Sequence, residues 1–181
     1  TKIFTDQIHS PFSLIVFDHH TDMQQPLMEG MMSCGDWAGM VLDQNPALQQ
    51  FILIGPAEDN IRQIRTEYPD KLITFSAEEI RKGEGVERLK QIHGGVPLYI
   101  SIDKDVLSEQ YSETNWNQGE LTLGMLEHML QYFLERAPVY GIDICGECST
   151  AIALPEYFQA EGVNGKTNVE LFRFLRSYCC S

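Results

Sequence analysis

Five short apolar runs recur along the chain, at 13–17 (SLIVF), 51–54 (FILI), 72–75 (LITF), 98–102 (LYISI) and 139–144 (VYGIDI), with helix-type patterns between them. They are apolar almost without interruption rather than at every second position, which is the pattern of strands covered on both faces. The clearest helix follows Thr122, whose hydroxyl can cap it, and repeats Leu123, Leu126, Met129, Leu130 and Phe133 at helical spacing before Pro138. Weaker helical patterns cover 37–42, 58–66, 87–92 and 169–178, the last with Leu171, Phe172 and Leu175 on one face. Strand-helix alternation of this kind predicts an α/β fold, a three-layer α/β/α sandwich with a mostly parallel sheet. No repeat, low-complexity tract or linker interrupts residues 1–181, which are read as a single domain.

Charge narrows the partners. Acidic residues outnumber basic ones 26 to 13, giving a formal net charge of -13, which repels nucleic acid and anionic lipid. The basic residues Arg62, Arg65, Arg81, Lys82, Arg88 and Lys90 alternate with glutamate on helical patterns and read as solvated faces. No apolar run approaches the ~20 residues that cross a bilayer, and no secretory signal pattern opens the chain. A cytoplasmic protein with no membrane partner is the expectation. Five cysteines (Cys34, Cys145, Cys148, Cys179, Cys180) read as thiols rather than as a disulfide framework.

In open parallel sheets ligands bind beyond the carboxyl ends of the strands. Two of the five runs end in acidic clusters: Asp18-His19-His20-Thr21-Asp22 after the first, and Asp103-Lys104-Asp105 after the fourth. In an extended segment, residues two apart share a face, so Asp18, His20 and Asp22 can converge, as can Asp103 and Asp105. Carboxylates so gathered stay ionised together only if cations balance them. Carboxylate oxygen with imidazole is the ligand set of manganese, magnesium or non-haem iron, and a two-metal site is the natural reading.

These motifs resemble a known family. Asp18-His-His20-Thr21-Asp22 looks like the D-x-H-x-D motif of the ureohydrolases (arginase, agmatinase, formiminoglutamase), and Ser101-Ile-Asp103-Lys-Asp105 resembles their S-x-D-x-D motif. Gly119-Glu-Leu121-Thr122 is similar to the family's G-G-L-T, and Gly141-Ile-Asp143-Ile to its last strand. The resemblance implies a binuclear Mn²⁺ site in the full-length protein, with Asp18 and Asp103 bridging the ions, Asp22 serving one, and His20 and Asp105 the other. It implies an arginase- or agmatinase-like hydrolase that attacks a small guanidino or linear amidine substrate at a C–N bond with a metal-bridging hydroxide. A homo-oligomer is compatible with this reading. His19, out of phase with the ligands, is expected to point away.

The chain also departs from the family pattern. The family's first ligand is a histidine on an earlier strand, and His9, within a segment that reads as the tail of a helix, is the one upstream candidate; it is not expected to ligate. The 181 residues are therefore expected to lack the family's first strand or strands. The proton-shuttle histidine has no counterpart in 33–39, where Asp36 is the only titratable carboxylate or imidazole. The glutamate that pairs with guanidinium falls on Gly146, so Glu147 would need a bulge to serve as the catalytic, substrate-contacting carboxylate beside Asp18 and Asp103. Changed partners suggest a changed substrate. Cys145-Gly-Glu-Cys148 has redox or zinc spacing, but Cys145 reads as a small hydrophobe ending a buried strand. Trp37 and Trp116 flank the site and are expected to pack in the core rather than wall a pocket. Two further readings stand beside the hydrolase: a degenerate noncatalytic member acting as a binding or oligomerisation module, and a single-zinc deacetylase, which would not need four carboxylates.

Overall fold

β1 (Phe12–Phe17) is buried along its whole length and takes the centre of the sheet. The computed structural model describes residues 1–26 and 31–179. β2 (Leu48–Ile54), β3 (Leu72–Phe75), β4 (Leu98–Asp103) and β5 (Val139–Cys145) complete a five-stranded sheet in the order β3-β2-β1-β4-β5, every pair parallel. Among the described residues six α-helices accompany them: α1 (Lys2–Thr5), α2 (Trp37–Gln44), α3 (Glu58–Ile61), α4 (Ala77–Lys82), α5 (Leu123–Leu134) and α6 (Leu154–Cys179).

Strand periodicity divides the core into two sides. Ile15, Phe17, Ile52, Ile54, Ile100 and Ile102 face α5 and α6 and pack with Leu126, Leu130, Phe133, Leu171 and Leu175. Leu14, Val16, Phe51, Leu53 and Tyr99 face the other way and pack with Ala38, Val41 and Leu42 of α2. This is the three-layer α/β/α sandwich with a parallel sheet that strand-helix alternation predicts. No helix among the described residues is long and apolar enough to cross a membrane.

Several elements differ from the expectation, each for a local reason. The helix predicted over 58–66 is a single turn, Glu58–Ile61, and none of its residues is buried, so nothing extends it. The pattern at 87–92 is a 3₁₀ segment, Val86–Gln91, with no buried residue either. α4 has no amphipathic signal. It is held by a capping box, in which the Ser76 hydroxyl accepts from the Glu79 N–H and the Glu79 carboxylate accepts from the Ser76 N–H, and it ends at Gly83 in the left-handed region. α6 begins at Leu154, fifteen residues before the expected start, because Gly162 and Gly165 dilute the periodic pattern that the buried Ala160, Asn164, Thr167 and Leu171 trace out. β5 is an edge strand rather than one covered on both faces: Tyr140 is 50% and Ile144 37% exposed.

Gly55 ends β2 at a φ of +119°, and a Cβ there would lie 2.4 Å from Val106 Cγ2 and 2.6 Å from the Asp18 carbonyl oxygen. Only glycine enters that backbone region without strain, and neither neighbour is free to retreat. Gly55→Ala is expected to lower stability by roughly 1–3 kcal/mol, read as a lower denaturant midpoint at unchanged slope. An unchanged midpoint would show that the approach is looser than described.

Candidate metal centre

From β1 the chain steps to β2 and β3 on one side of the sheet and then returns to β4 and β5 on the other. The direction of winding reverses between β1 and β4, which opens a crevice at their carboxyl ends. Register fixes what lies there. Phe17 pairs with Ile102, so Asp18 and Asp103, each one residue further on, leave adjacent strands side by side.

Backbone N–H groups hold the carboxylates in place. Asp18 Oδ1 accepts from the N–H of His20 at 2.6 Å, Asp105 Oδ1 from the N–H of His19 at 3.0 Å, and Asp103 Oδ1 from the N–H of Asp105 at 3.0 Å. His20 Nδ1 lies 2.8 Å from Asp105 Oδ2 and 3.6 Å from Asp18 Oδ1. Asp18, His20 and Asp105 each offer a ligand atom within 4.8 Å of the others'. Asp22 and Asp103 line the same cavity, of about 590 Å³. Asp22 sits at φ +48°, in the left-handed region that aspartate tolerates better than most residues, and its Oδ2 accepts from Trp37 Nε1 at 2.6 Å. The first turn of α2 grips the same residue, with Ala38 N–H donating to the Asp22 carbonyl at 3.0 Å.

The remaining candidates are placed as follows. His19 does not line the cavity and its Nδ1 has no partner among the described residues. His9 precedes β1 at its amino end, the length of the strand away from the cluster, about 20 Å by strand rise. Asp36 is buried and accepts from the Ser33 N–H at 2.7 Å, closing a turn. Glu147 does not line the cavity; it pairs with the fully buried Lys104, whose ammonium also donates to Asn168 Oδ1 of α6 at 2.9 Å. Trp116 is 58% exposed and stands edge-on to His20 with ring centroids 6.2 Å apart, so it walls the cavity instead of packing in the core. Trp37 is partly packed, yet its indole N–H holds a candidate ligand. Cys145 is exposed rather than a buried hydrophobe, and its thiol donates to Asp103 Oδ2 at 3.2 Å. Cys34, Cys145 and Cys148 are free thiols, while the Cys179-Cys180 pair lies outside the described side chains. Sequence reasoning missed Lys104, Asn60 and Arg65. The last two line the cavity from the segment after β2. A lysine between two site aspartates was the one signal the sequence offered for Lys104.

Burial and mutual repulsion show in the titration of the cluster. Burial first, then the neighbouring Asp22, Asp105 and Asp103, push the Asp18 carboxyl well above the usual carboxylate range. Burial likewise raises Asp22 to about 6, against the Trp37 hydrogen bond that lowers it, and burial together with Asp105 raises Asp103. The Asp105 and Asp18 carboxylates raise His20 to about 10. An imidazolium there supplies part of the positive charge that four crowded carboxylates demand. Hard carboxylate oxygens with one imidazole, short of positive charge, fit divalent manganese or a similar ion.

Comparison with known proteins bears on the fold and the family. The sequence profile of the arginase family matches residues 2–150. An uncharacterized protein of Thermotoga maritima is 26% identical over 147 residues, 81% of this chain and 52% of its own. Among solved structures, a hypothetical agmatinase from Burkholderia thailandensis superposes with a TM-score of 0.67 at 20% identity, covering 95% of this chain and 51% of its own. The formimidoylglutamase of Bacillus subtilis superposes with a TM-score of 0.66 at 16% identity, covering 98% of this chain and 56% of its own. The chain thus spans about half the length of the proteins it matches.

The raised carboxyls set the sign of a pH effect. Asp22 keeps its proton to about 6 in the folded chain against a usual 3.8, so across that window the folded state binds more protons than the unfolded one and the metal-free protein loses stability as pH rises. Asp22→Asn should remove its share of that slope, seen as a stability gain over wild type that grows between pH 4 and 6 in thermal melts; parallel curves would contradict it. A divalent cation must also displace the His20 proton. Calorimetry of Mn²⁺ addition at neutral pH, in buffers of differing ionisation enthalpy, should therefore report proton release, and buffer-independent heats would be the contrary result.

Proposed function

Because the chain belongs to the arginase family, we propose that it carries the metal-binding core of a ureohydrolase that cleaves a guanidino or related linear amidine C–N bond. The observation that supports this best is the meeting of two strand-end acidic clusters in the β1/β4 crevice, at the floor of a cavity large enough for a small substrate. In this reading Asp18, His20 and Asp105, with Asp22 and Asp103 on the same cavity, would hold the Mn²⁺. When bound, the ions acidify a water so that it can attack at neutral pH.

The chain's own residues do the rest. Neighbouring N–H groups hold Asp18, Asp103 and Asp105 in fixed orientation, so little rearrangement is needed when ions bind. Trp37 holds the Asp22 carboxylate from behind, and Trp116 screens the His20 side of the cavity from solvent. Glu147, tied to Lys104 and Asn168, positions α6 against the end of β4 and is a positioning residue rather than one that meets substrate.

The test combines metal uptake with turnover. After dialysis against Mn²⁺, the wild-type chain is expected to retain the ion and to release urea or ammonia from members of a guanidine and amidine panel. Asp103→Asn removes a charge from the cluster and should lower metal retention about 10–100-fold, more than Asp105→Asn. Failure of the wild-type chain to take up any divalent cation would overturn the proposal in favour of a noncatalytic binding module.

A further inference from the structure

The long helix α6 has two faces of different character. Its inner face, with Ala160, Asn164, Thr167, Leu171 and Leu175, is buried against the body of the protein. Asn164 ties it down further by exchanging hydrogen bonds of 2.8 and 2.9 Å with the backbone of Glu113. The outer face carries Phe158, Gly162, Gly165, Val169 and Phe172, which follow one another at alternating steps of 4 and 3 residues. Phe158 and Phe172 are each 64% exposed, and Val169 is 47% exposed.

That alternation is the repeat along which two helices pack. The glycines fit the same reading. A Cβ at Gly162 or Gly165 would meet nothing within 4 Å beyond its own stretch of helix, so the packing of the chain gives no reason for glycine where alanine would make the better helix. Two backbones that cross at this point need the absent side chains. The phenylalanines at either end then fill the gap as the helices diverge.

Charge decides which second helix fits, and in which direction. Glu161 immediately precedes one position of the stripe and Lys166 immediately follows another, so the two exposed side chains flank it on opposite sides. In a parallel pair of α6 helices the carboxylate of Glu161 faces the partner's Lys166, five positions further on, and two-fold symmetry makes the contact twice. An antiparallel pair would bring like flanks together and set the two Glu161 carboxylates on the same side. We propose that the outer face of α6 is an interface for a second copy of this chain, closing a parallel two-fold dimer through Phe158, Gly162, Gly165, Val169 and Phe172. The cavity takes none of its described lining residues from α6, so the interface leaves the ligand cluster intact. The stripe runs only about 21 Å along the helix, at the small end of specific interfaces, which sets the expected dissociation constant in the ~micromolar range.

Sedimentation equilibrium of the full chain tests this, over about 1–200 µM, a range that brackets such a constant. Wild type is expected to show a monomer–dimer equilibrium. Phe172→Glu, which places a carboxylate from each copy in the apolar seam, should weaken it at least about tenfold with the helical circular dichroism unchanged. Glu161→Lys and Lys166→Glu alone should each weaken it about two- to fivefold at low salt, and the double variant, which restores opposite charges, should recover the wild-type constant. A wild type that stays monomeric throughout would show that another segment, another partner or solvent covers this face, and would overturn the proposal. So would a dimer that ignores Phe172→Glu, since its interface then lies elsewhere. Failure of the double variant to recover would overturn the parallel pairing.

Discussion

The in-register parallel pairing of β1 with β4 is the constraint on which the site depends. It carries Asp18 and Asp103 off the ends of neighbouring strands, where their charges oppose each other. Antiparallel neighbours would have sent the two clusters to opposite edges of the sheet. Parallel neighbours at a winding reversal send them into one crevice that no helix fills. Burial, and then the repulsion this creates, raise the carboxyls of Asp18, Asp22 and Asp103, while hydrogen bonds to the Asp105 and Asp18 carboxylates raise the imidazole of His20. The fold tolerates that strain because the carboxylates also accept hydrogen bonds from neighbouring backbone N–H groups, which substitute for part of the lost hydration.

Supports for this arrangement come from elements distant in sequence. α2 anchors Asp22 through Trp37 and through the N–H groups at its first turn. α6 anchors the Asp103–Asp105 segment through the buried Lys104, which Glu147 and Asn168 partner. Ser112 Oγ donates to the Lys104 carbonyl at 2.5 Å from the loop that follows. Breaking a buried ion pair by removing one partner leaves an uncompensated charge. Lys104 thus makes the geometry of the two neighbouring aspartates depend on α6, although α6 supplies no ligand.

How much of this is legible in the sequence depends on the range of the interaction concerned. The strands were readable because continuous apolar runs reflect burial on both faces, a local property of the residues themselves. The two acidic clusters were readable because each lies within five residues. Their convergence followed from the rule for parallel sheets. The exposure of β5, the indole bond of Trp37 to Asp22 and the pairing of Lys104 with Glu147 were not readable, since each depends on which elements become neighbours. Glu147 shows the limit best. Its position beside the family's glutamate suggested a role at the substrate, but the buried cation 43 positions earlier claims it.

Gly146 shows why that exchange is structural. It sits at φ +84°, and a Cβ there would lie 2.4 Å from Asp103 Oδ1 and 2.7 Å from the Lys104 nitrogen. A glutamate at this position cannot coexist with the present placement of Asp103, so the carboxylate that would face substrate from β5 is absent and Glu147 turns to Lys104. The floor of the cavity is built from the rigid ends of β1 and β4, while its walls come from the segments that carry Asn60, Arg65 and Trp116. Packing in the sheet fixes the floor; the walls are free of that packing. Substitutions in the walls can therefore accumulate without disturbing the floor, so the two parts of the cavity are free to change independently of each other.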